Sequence, residues 1–450
     1  MRTFDGAQIA AATGGVCHTA GPAGAIVTDT RKIQPGDWFL ALVGDRFDGH
    51  DFLDVAAAAG AAGCVVEREP GPAWTAGIVQ VLDTTRALQD LGRSVRAGFV
   101  GPVVALTGSS GKTTTRALIA LAVAPLGVVH QTSGNLNNHF GVPMTLLATP
   151  PDADVLVIEM GTSSPGEIAV LADIAVPDVR LIVNVGPAHL EELGGLPGVA
   201  REKGALFDSA RAGDVCCVLV DDPYIAKMAL PEGVRVVTWG VGDADVRLLS
   251  AEVQAAQLAT AARFGTPEGE VDVTIPAPGR HVALDAAGAI AVAVSLGVDP
   301  IAAARSLAGY APVGMRMNPV RLLSGALVLN DAYNANPQSM IASLDVLASL
   351  PGRRVAVLGD MLELGEDAAR WHTEVVAHAV GLGLERVLLF GGLMRAAAAG
   401  SAVWFDGPEA VAQLLQAEEW LGVDDVVLLK GSRGAAVERV LTIWTDQEGR

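Results

Sequence analysis

Short apolar runs rich in valine, isoleucine and leucine alternate along this chain with longer alanine- and leucine-rich stretches broken by charges. That alternation predicts an α/β fold in which parallel strands are followed by covering helices. Three blocks emerge. Residues 1–98 hold the candidate strands "DWFLALV" and "GCVVER" and end in a polar helix, "TTRALQDLGRSVRAG". In residues 99–315, "PVVALT" opens a fresh strand, and "DVLVIEM", "VRLIVNV" and "DVCCVLV" follow as near-continuous apolar runs, the pattern of strands covered on both faces. Residues 316–450 carry "RVAVLGD", "RVLLF" and "DVVLLKG", again strands that end in loops. No repeat of fixed period occurs.

Composition narrows the picture. At 450 residues, half of them apolar, the chain can build two or three cores. A formal charge of -19 argues against nucleic acid, which needs clustered cations to neutralise phosphates. Anionic ligands must then be met by local devices: backbone N–H groups, single cations, metal ions. Cys17, Cys64, Cys216 and Cys217 lack C-x-x-C spacing, so reduced thiols in a cytoplasm are expected. The start, MRTFDGAQ, with Asp5 and no apolar core, is not expected to act as a signal peptide. The longest apolar runs fall short of the roughly 20 residues a spanning helix needs, so no membrane insertion is expected.

The densest chemistry lies in "TGSSGKTTTRALIA", residues 107–120. A strand over 103–107, a loop of Gly108, Ser109, Ser110 and Gly111, and a helix opening at Lys112 gather backbone N–H groups around one point, where an anion is welcome. Lys112 would reach the terminal phosphates of a nucleotide, and the Thr113 hydroxyl would hold Mg²⁺. Leu106 stands where the usual G-x-x-x-x-G-K-[ST] loop has its first glycine. Glu159 ends "VLVIEM" and His189 follows the strand in "LIVNVGPAH". Carboxyl ends of parallel strands converge on one edge of a sheet, so a carboxylate and an imidazole there, beside Lys112, point to metal.

"TGSSGKTTT", "SGNLNNHFGVPMTLL", "VIEMGTSSPGEI", "NVGPAHLEELG", "REKGALF", "NDAYNANPQS", "LGDMLELGE" and "KGSRG" stand in the order and spacing of the Mur ligases. Over residues 28–440 the chain resembles that family, whose phosphate loop has the short T-G-x-x-G-K-T form. The resemblance implies three α/β domains: a small N-terminal UDP-binding domain, a central P-loop ATPase domain with a parallel sheet, and a C-terminal Rossmann-like domain. It implies that ATP phosphorylates a carboxylate and that an amine then attacks the acyl phosphate. The reaction so implied joins D-Ala-D-Ala to UDP-MurNAc-tripeptide in peptidoglycan synthesis, by a monomer.

Residue by residue, the resemblance implies that Lys112, Glu159, His189 and Lys203 are catalytic. Thr113 and Glu159 would hold one Mg²⁺, and His189 and Lys203 a second, with Lys203 carbamylated by CO₂. Thr107, Gly108, Ser109, Ser110, Gly111 and Thr114 would join Lys112 and Thr113 around ATP, completed by Asp285, Arg316, Asp331 and Asn334. Asp29, Thr30, Arg31, Phe47, Asp48, Gly49, His50 and Asp51 would meet the UDP, and Asn135, Asn137, Asn138, Thr162 and Ser163 the muramoyl peptide. Asn336, Lys430 and Arg433 would meet the incoming dipeptide, the two cations at its carboxylate. Relatives usually read G-x-H-N-x-x-N near the adenine, whereas "GRHVALDAAGA" has Val282 and Asp285 at the asparagine positions. Thr162 and Ser163 likewise stand where alanine and asparagine are common. "NDAYNANP" without any D-N-P-R sequence argues against a diaminopimelate-adding relative. The alternatives are another ligase of the superfamily, including folylpolyglutamate synthase, and a P-loop NTPase that drives a partner. Because the ATP contacts are split between Lys112 and residues beyond 316, closure of the domains on each other is expected.

Overall fold

The computed structural model describes residues 2–44, 47–71, 74–417, 420–447 and 449. By contacts the chain forms two compact units, one of residues 1–105, 126–162 and 166–179, the other of residues 106–125, 163–165 and 180–450.

In the first unit a six-stranded sheet runs in the order Thr3–Phe4, Gly24–Val27, Trp38–Leu40, Gly63–Val66, Gly77–Gln80, Val16–Thr19. The four inner strands are parallel and the two edge strands antiparallel. Asp83 caps the predicted polar helix, Thr84–Ala97, through the Arg86 N–H; Ala87, Leu88, Leu91 and Val95 lie on its buried stripe, three and four residues apart.

A second sheet of nine strands starts with Val129–Gln131, Val155–Glu159 and Val103–Thr107 and continues through Val179–Ile182, Val215–Leu219, Arg235–Gly240, Val246–Gln254, Ala259–Thr266 and Gly269–Ile275. The apolar runs Val103–Thr107, Val155–Glu159 and Val179–Ile182 are buried along their whole length, as doubly covered strands must be. Its last three strands form an antiparallel meander that apolar-run reading missed, so the sheet is mixed rather than all parallel. "GEVDVTI" signals the meander by period-2 alternation, with only Val271, Val273 and Ile275 buried. The strand expected across "VRLIVNV" stops at Ile182, leaving residues 183–189 as a connecting loop.

The alanine-rich run becomes the helix Arg280–Ser295, buried on nearly every side and packed along the helix Lys112–Ala122. Small side chains let the two approach closely. No helix among the described residues is long and apolar enough to cross a membrane.

The C-terminal sheet orders Asn318–Arg321, Leu327–Asp331, Asp425–Lys430, Arg353–Gly359, Arg386–Phe390 and Ala402–Phe405, parallel except at its first pair. Alternate residues feed two cores: Leu329, Leu358, Leu389 and Leu428 on one face, Val328, Val357, Leu388 and Val427 on the other. Leu190, Leu193 and Val199, from the middle of the chain, complete the first of these cores. The segment after His189 is therefore anchored in the third block.

Candidate active site

The phosphate loop forms as its sequence requires. Val103–Thr107 ends at the loop, Gly111 takes φ +76°, open to glycine at little cost, and the helix starts at Lys112. Lys112 Nζ donates to the Gly108 carbonyl at 2.8 Å, curled over the loop it would vacate for a phosphate. The Thr113 side chain is buried, and the Thr107 hydroxyl is buried without a hydrogen-bond partner. Thr114 shares a hydrogen bond with Tyr310, whose hydroxyl burial pushes up.

Two residues absent from the sequence reading hold this loop. Asn184 Oδ1 accepts from the N–H groups of Ser109 and Ser110 at 3.1 and 3.0 Å, and its Nδ2 donates to the Ser110 carbonyl. Gln338 Oε1 accepts from the Ser110 hydroxyl at 3.4 Å, while Asn336 Nδ2 donates to the Ser109 carbonyl at 3.3 Å. Asn336 also caps the helix Pro337–Ser349 with a capping box, so that helix start lies directly on the phosphate loop. The polar Asn184 closing an apolar run was the available signal; Gln338 offered none beyond its place in "NANPQS".

Asp285 is placed otherwise than expected. Its carboxyl packs behind the loop, with Oδ2 3.0 Å from where a Cβ on Gly111 would stand, and it shares a hydrogen bond with Thr115. Burial pushes the acid well above the ordinary carboxylate range, which favours the neutral form there. The contact made is thus with the start of the loop helix.

Lys203, on the helix Leu196–Asp208, is buried, with 2% of its surface exposed. Burial, reinforced by the neighbouring Lys112 charge, holds its ammonium well below the ordinary lysine value. His189 adopts φ 52° and Glu363 φ 63°, both left-handed, and His189 Nδ1 stands 2.7 Å from Glu363 Oε2. The contact is at ion-pair distance, and Nδ1 has no hydrogen-bond partner among the described residues. Contact with the ring lowers the Glu363 carboxyl.

In the third block Asp331 and Lys430 neutralise each other. Lys430 Nζ donates to Asp331 Oδ2 at 2.6 Å and to the Asn334 carbonyl at 3.2 Å; Ser343 Oγ and the Met317 N–H complete the carboxylate. Lys430, expected to meet the dipeptide carboxylate, is buried here with Asp331 as its counter-charge. Arg433 pairs with Glu438 and remains exposed. Arg316 lies over the Tyr333 ring, 3.8 Å from its centroid, and Asn334 Oδ1 accepts from the Ala335 N–H.

In the first unit Arg31 forks onto Asp29 through Nε and Nη2, which with the Arg31 N–H bond holds the acid at about 2; Thr30 opens the single turn that Asp29 caps. Although burial pushes Asp48 up, bonds from the His50 N–H, Arg68 and the His50 ring hold it at about 2. His50 Nε2 accepts from the Glu67 N–H at 2.9 Å, so both ring nitrogens are engaged. Asp48 and His50 therefore brace the turn Gly49–Phe52, which also holds Asp51, and leave the Phe47 and Phe52 rings exposed beside it. Glu159, 2% exposed, accepts from Asn137 Nδ2 at 2.9 Å. Asn138 Oδ1 accepts from the Phe140 and Gly141 N–H groups at the start of Gly141–Leu147; Asn135 lies in the exposed turn before it. Thr162 donates to Glu167, and Ser163 follows it.

No group of three His, Cys, Asp or Glu side chains able to hold a metal occurs among the described residues. The Thr113 hydroxyl and the Glu159 carboxylate, both buried and each in its own unit, are hard oxygen donors of the kind Mg²⁺ takes.

A phosphate loop with a third α/β block seated on it defines the class, and the chain belongs to the Mur ligase family. Profiles described as "Mur ligase family, catalytic domain", "Mur ligase middle domain" and "Mur ligase, glutamate ligase domain" match residues 24–96, 106–293 and 315–433. Within it, the chain is 37% identical over 93% of its length to the UDP-N-acetylmuramoyl-tripeptide–D-alanyl-D-alanine ligase of Escherichia coli, covering 92% of that protein. The crystal structure of MurF from Acinetobacter baumannii superposes with TM-score 0.91 at 31% identity, over 99% of both chains. The MurF ligase of Thermotoga maritima in complex with ADP superposes at 0.84, also 31% identical, over 94% of this chain and 97% of that one.

Proposed function

We propose that this chain uses ATP to join D-Ala-D-Ala to the terminal carboxylate of UDP-MurNAc-tripeptide, completing the pentapeptide precursor of peptidoglycan. A carboxylate is a poor electrophile because its oxygen does not leave. One carboxylate oxygen attacks the γ-phosphorus and ADP departs. The dipeptide amine then adds to the acyl phosphate, phosphate leaves with that oxygen, and the amine proton goes to solvent.

The observation that carries the reading is Lys203. Burial and the Lys112 charge both push Lys203 toward its neutral amine, the form that adds CO₂ to give a carbamate and a proton. Thr113 and Glu159 would hold one Mg²⁺, and His189 and the Lys203 carbamate another; bound there, the ions neutralise charge between two anions that must meet. Lys112 would leave the Gly108 carbonyl for the γ-phosphate, with Ser109, Ser110, Gly111 and Thr114 around the phosphates. Asp29, Thr30, Arg31 and the turn braced by Asp48 and His50 would take the UDP, and Asn336 and Arg433 the dipeptide. The domains are assigned to 1–98, 99–315 and 316–450, acting in a cytoplasmic monomer.

Phosphate release is the test, with UDP-MurNAc-tripeptide and ATP, and D-Ala-D-Ala added or withheld. Release that needs both substrates supports the ligase; release without either favours a motor-type NTPase.

A further inference from the structure

Among the described residues six non-glycine residues have left-handed backbone, and two of them, His189 and Glu363, face each other. Side chains other than glycine adopt that conformation at a cost, so it persists only where the surroundings over-determine it. Here they do. On one side Leu190 and Leu193, and on the other Met361 and Leu364, are buried in the same core. The Leu190 N–H donates to the Glu363 carbonyl at 3.0 Å, tying the two segments backbone to backbone. The strain aims one imidazole at one carboxylate, 2.7 Å apart, from segments more than 170 residues apart in sequence.

We propose that Glu363 is a positioning residue: its carboxylate holds the Nδ1 side of His189, so that Nε2 is presented to a divalent cation, and it can do so only while the third block is seated. A carboxylate behind a ligating histidine fixes the ring's tautomer and raises its basicity, and losing such a partner typically weakens metal binding about 10- to 100-fold. A plain surface ion pair would not need two left-handed residues to form. Cation binding at His189 thereby depends on docking of the block that Glu363 belongs to, which links metal loading to domain closure. The inference rests on the ligase reading for the cation's purpose.

The test uses the full chain with Glu363→Ala and Glu363→Gln. Long-range ¹H–¹⁵N spectra of the imidazoles, with His189 assigned by a His189→Gln variant, read the tautomer. Electron paramagnetic resonance of Mn²⁺ titrated in the presence of ADP reads ion affinity. Glu363→Ala is expected to shift the His189 tautomer and weaken Mn²⁺ about tenfold. Glu363→Gln, whose amide oxygen can face the Nδ1 side in the carboxylate's place, is expected to keep the tautomer. An unchanged tautomer or an unchanged Mn²⁺ affinity in Glu363→Ala overturns the proposal. Neither readout involves the peptide substrates, so a wild-type chain that failed to ligate would overturn the function while leaving this result to stand or fall by itself.

Discussion

Lys203 and Lys430 are both buried lysines, but the fold treats them oppositely. Lys203 has burial and a like charge beside it, whereas Lys430 has a carboxylate at 2.6 Å. Lys203→Ala is expected to abolish ligation, with part of the activity returned by short carboxylic acids that occupy the vacated space; full activity in the unsupplemented variant would contradict the carbamate. Asp331→Ala strands a buried ammonium and is expected to cost about 3–5 kcal/mol in urea denaturation, much of it recovered by adding Lys430→Met. Asp48 titrates with a sign that follows from its depressed value. Its contribution is present above the unfolded value near about pH 4 and is lost as pH falls through about 2, so the stability gap between the wild type and Asp48→Asn should close over that range. Lys112, Thr113 and Lys203 could be singled out in sequence because their type and motif suggest a chemistry. Asn184, Gln338 and Glu363 were not, because they act through partners 74 to 228 positions away that only the fold brings near.

Helix starts decide where the chemistry sits. The helices Lys112–Ala122 and Pro337–Ser349 bring their first turns together, one offering the phosphate loop and the other Asn336 and Gln338. Asn184→Ala removes the side-chain acceptor shared by two loop N–H groups, leaving the Ser109 N–H its bond to the Asn184 carbonyl, and is expected to weaken ATP binding about tenfold by calorimetry, with little loss of stability. The helix carrying Lys203 leaves its predecessor by a close approach: a Cβ on Gly198 would stand 1.6 Å from the Leu193 carbonyl oxygen. Gly198→Ala must therefore move the helix, at a cost of about 1–3 kcal/mol by thermal melting and with loss of ligation. Strands covered on both faces were legible as apolar runs. The meander over residues 246–275 was not: Gly269–Ile275 alternates buried and exposed residues and reads as a polar stretch unless period 2 is sought, while a register shift breaks the alternation of Val246–Gln254 after Leu249 and Ala259–Thr266 exposes only Arg263.

Across the whole molecule, the three-domain α/β plan was legible because strand runs, loop chemistry and motif order agreed with one another. What sequence could not give was the seating of the third block, where Leu190, Leu193 and Val199 enter a core built mainly by residues beyond 316. That seating places Asn336 and Gln338 on the phosphate loop and Glu363 on His189. In the proposed reaction ATP activates a carboxylate before the amine arrives. The most direct measurement supplies UDP-MurNAc-tripeptide with ¹⁸O in its terminal carboxylate, together with ATP and D-Ala-D-Ala, and weighs the released phosphate. One labelled oxygen carried into each phosphate is the predicted result; phosphate free of label would mean that water, not the peptide, attacked ATP, and would contradict the account.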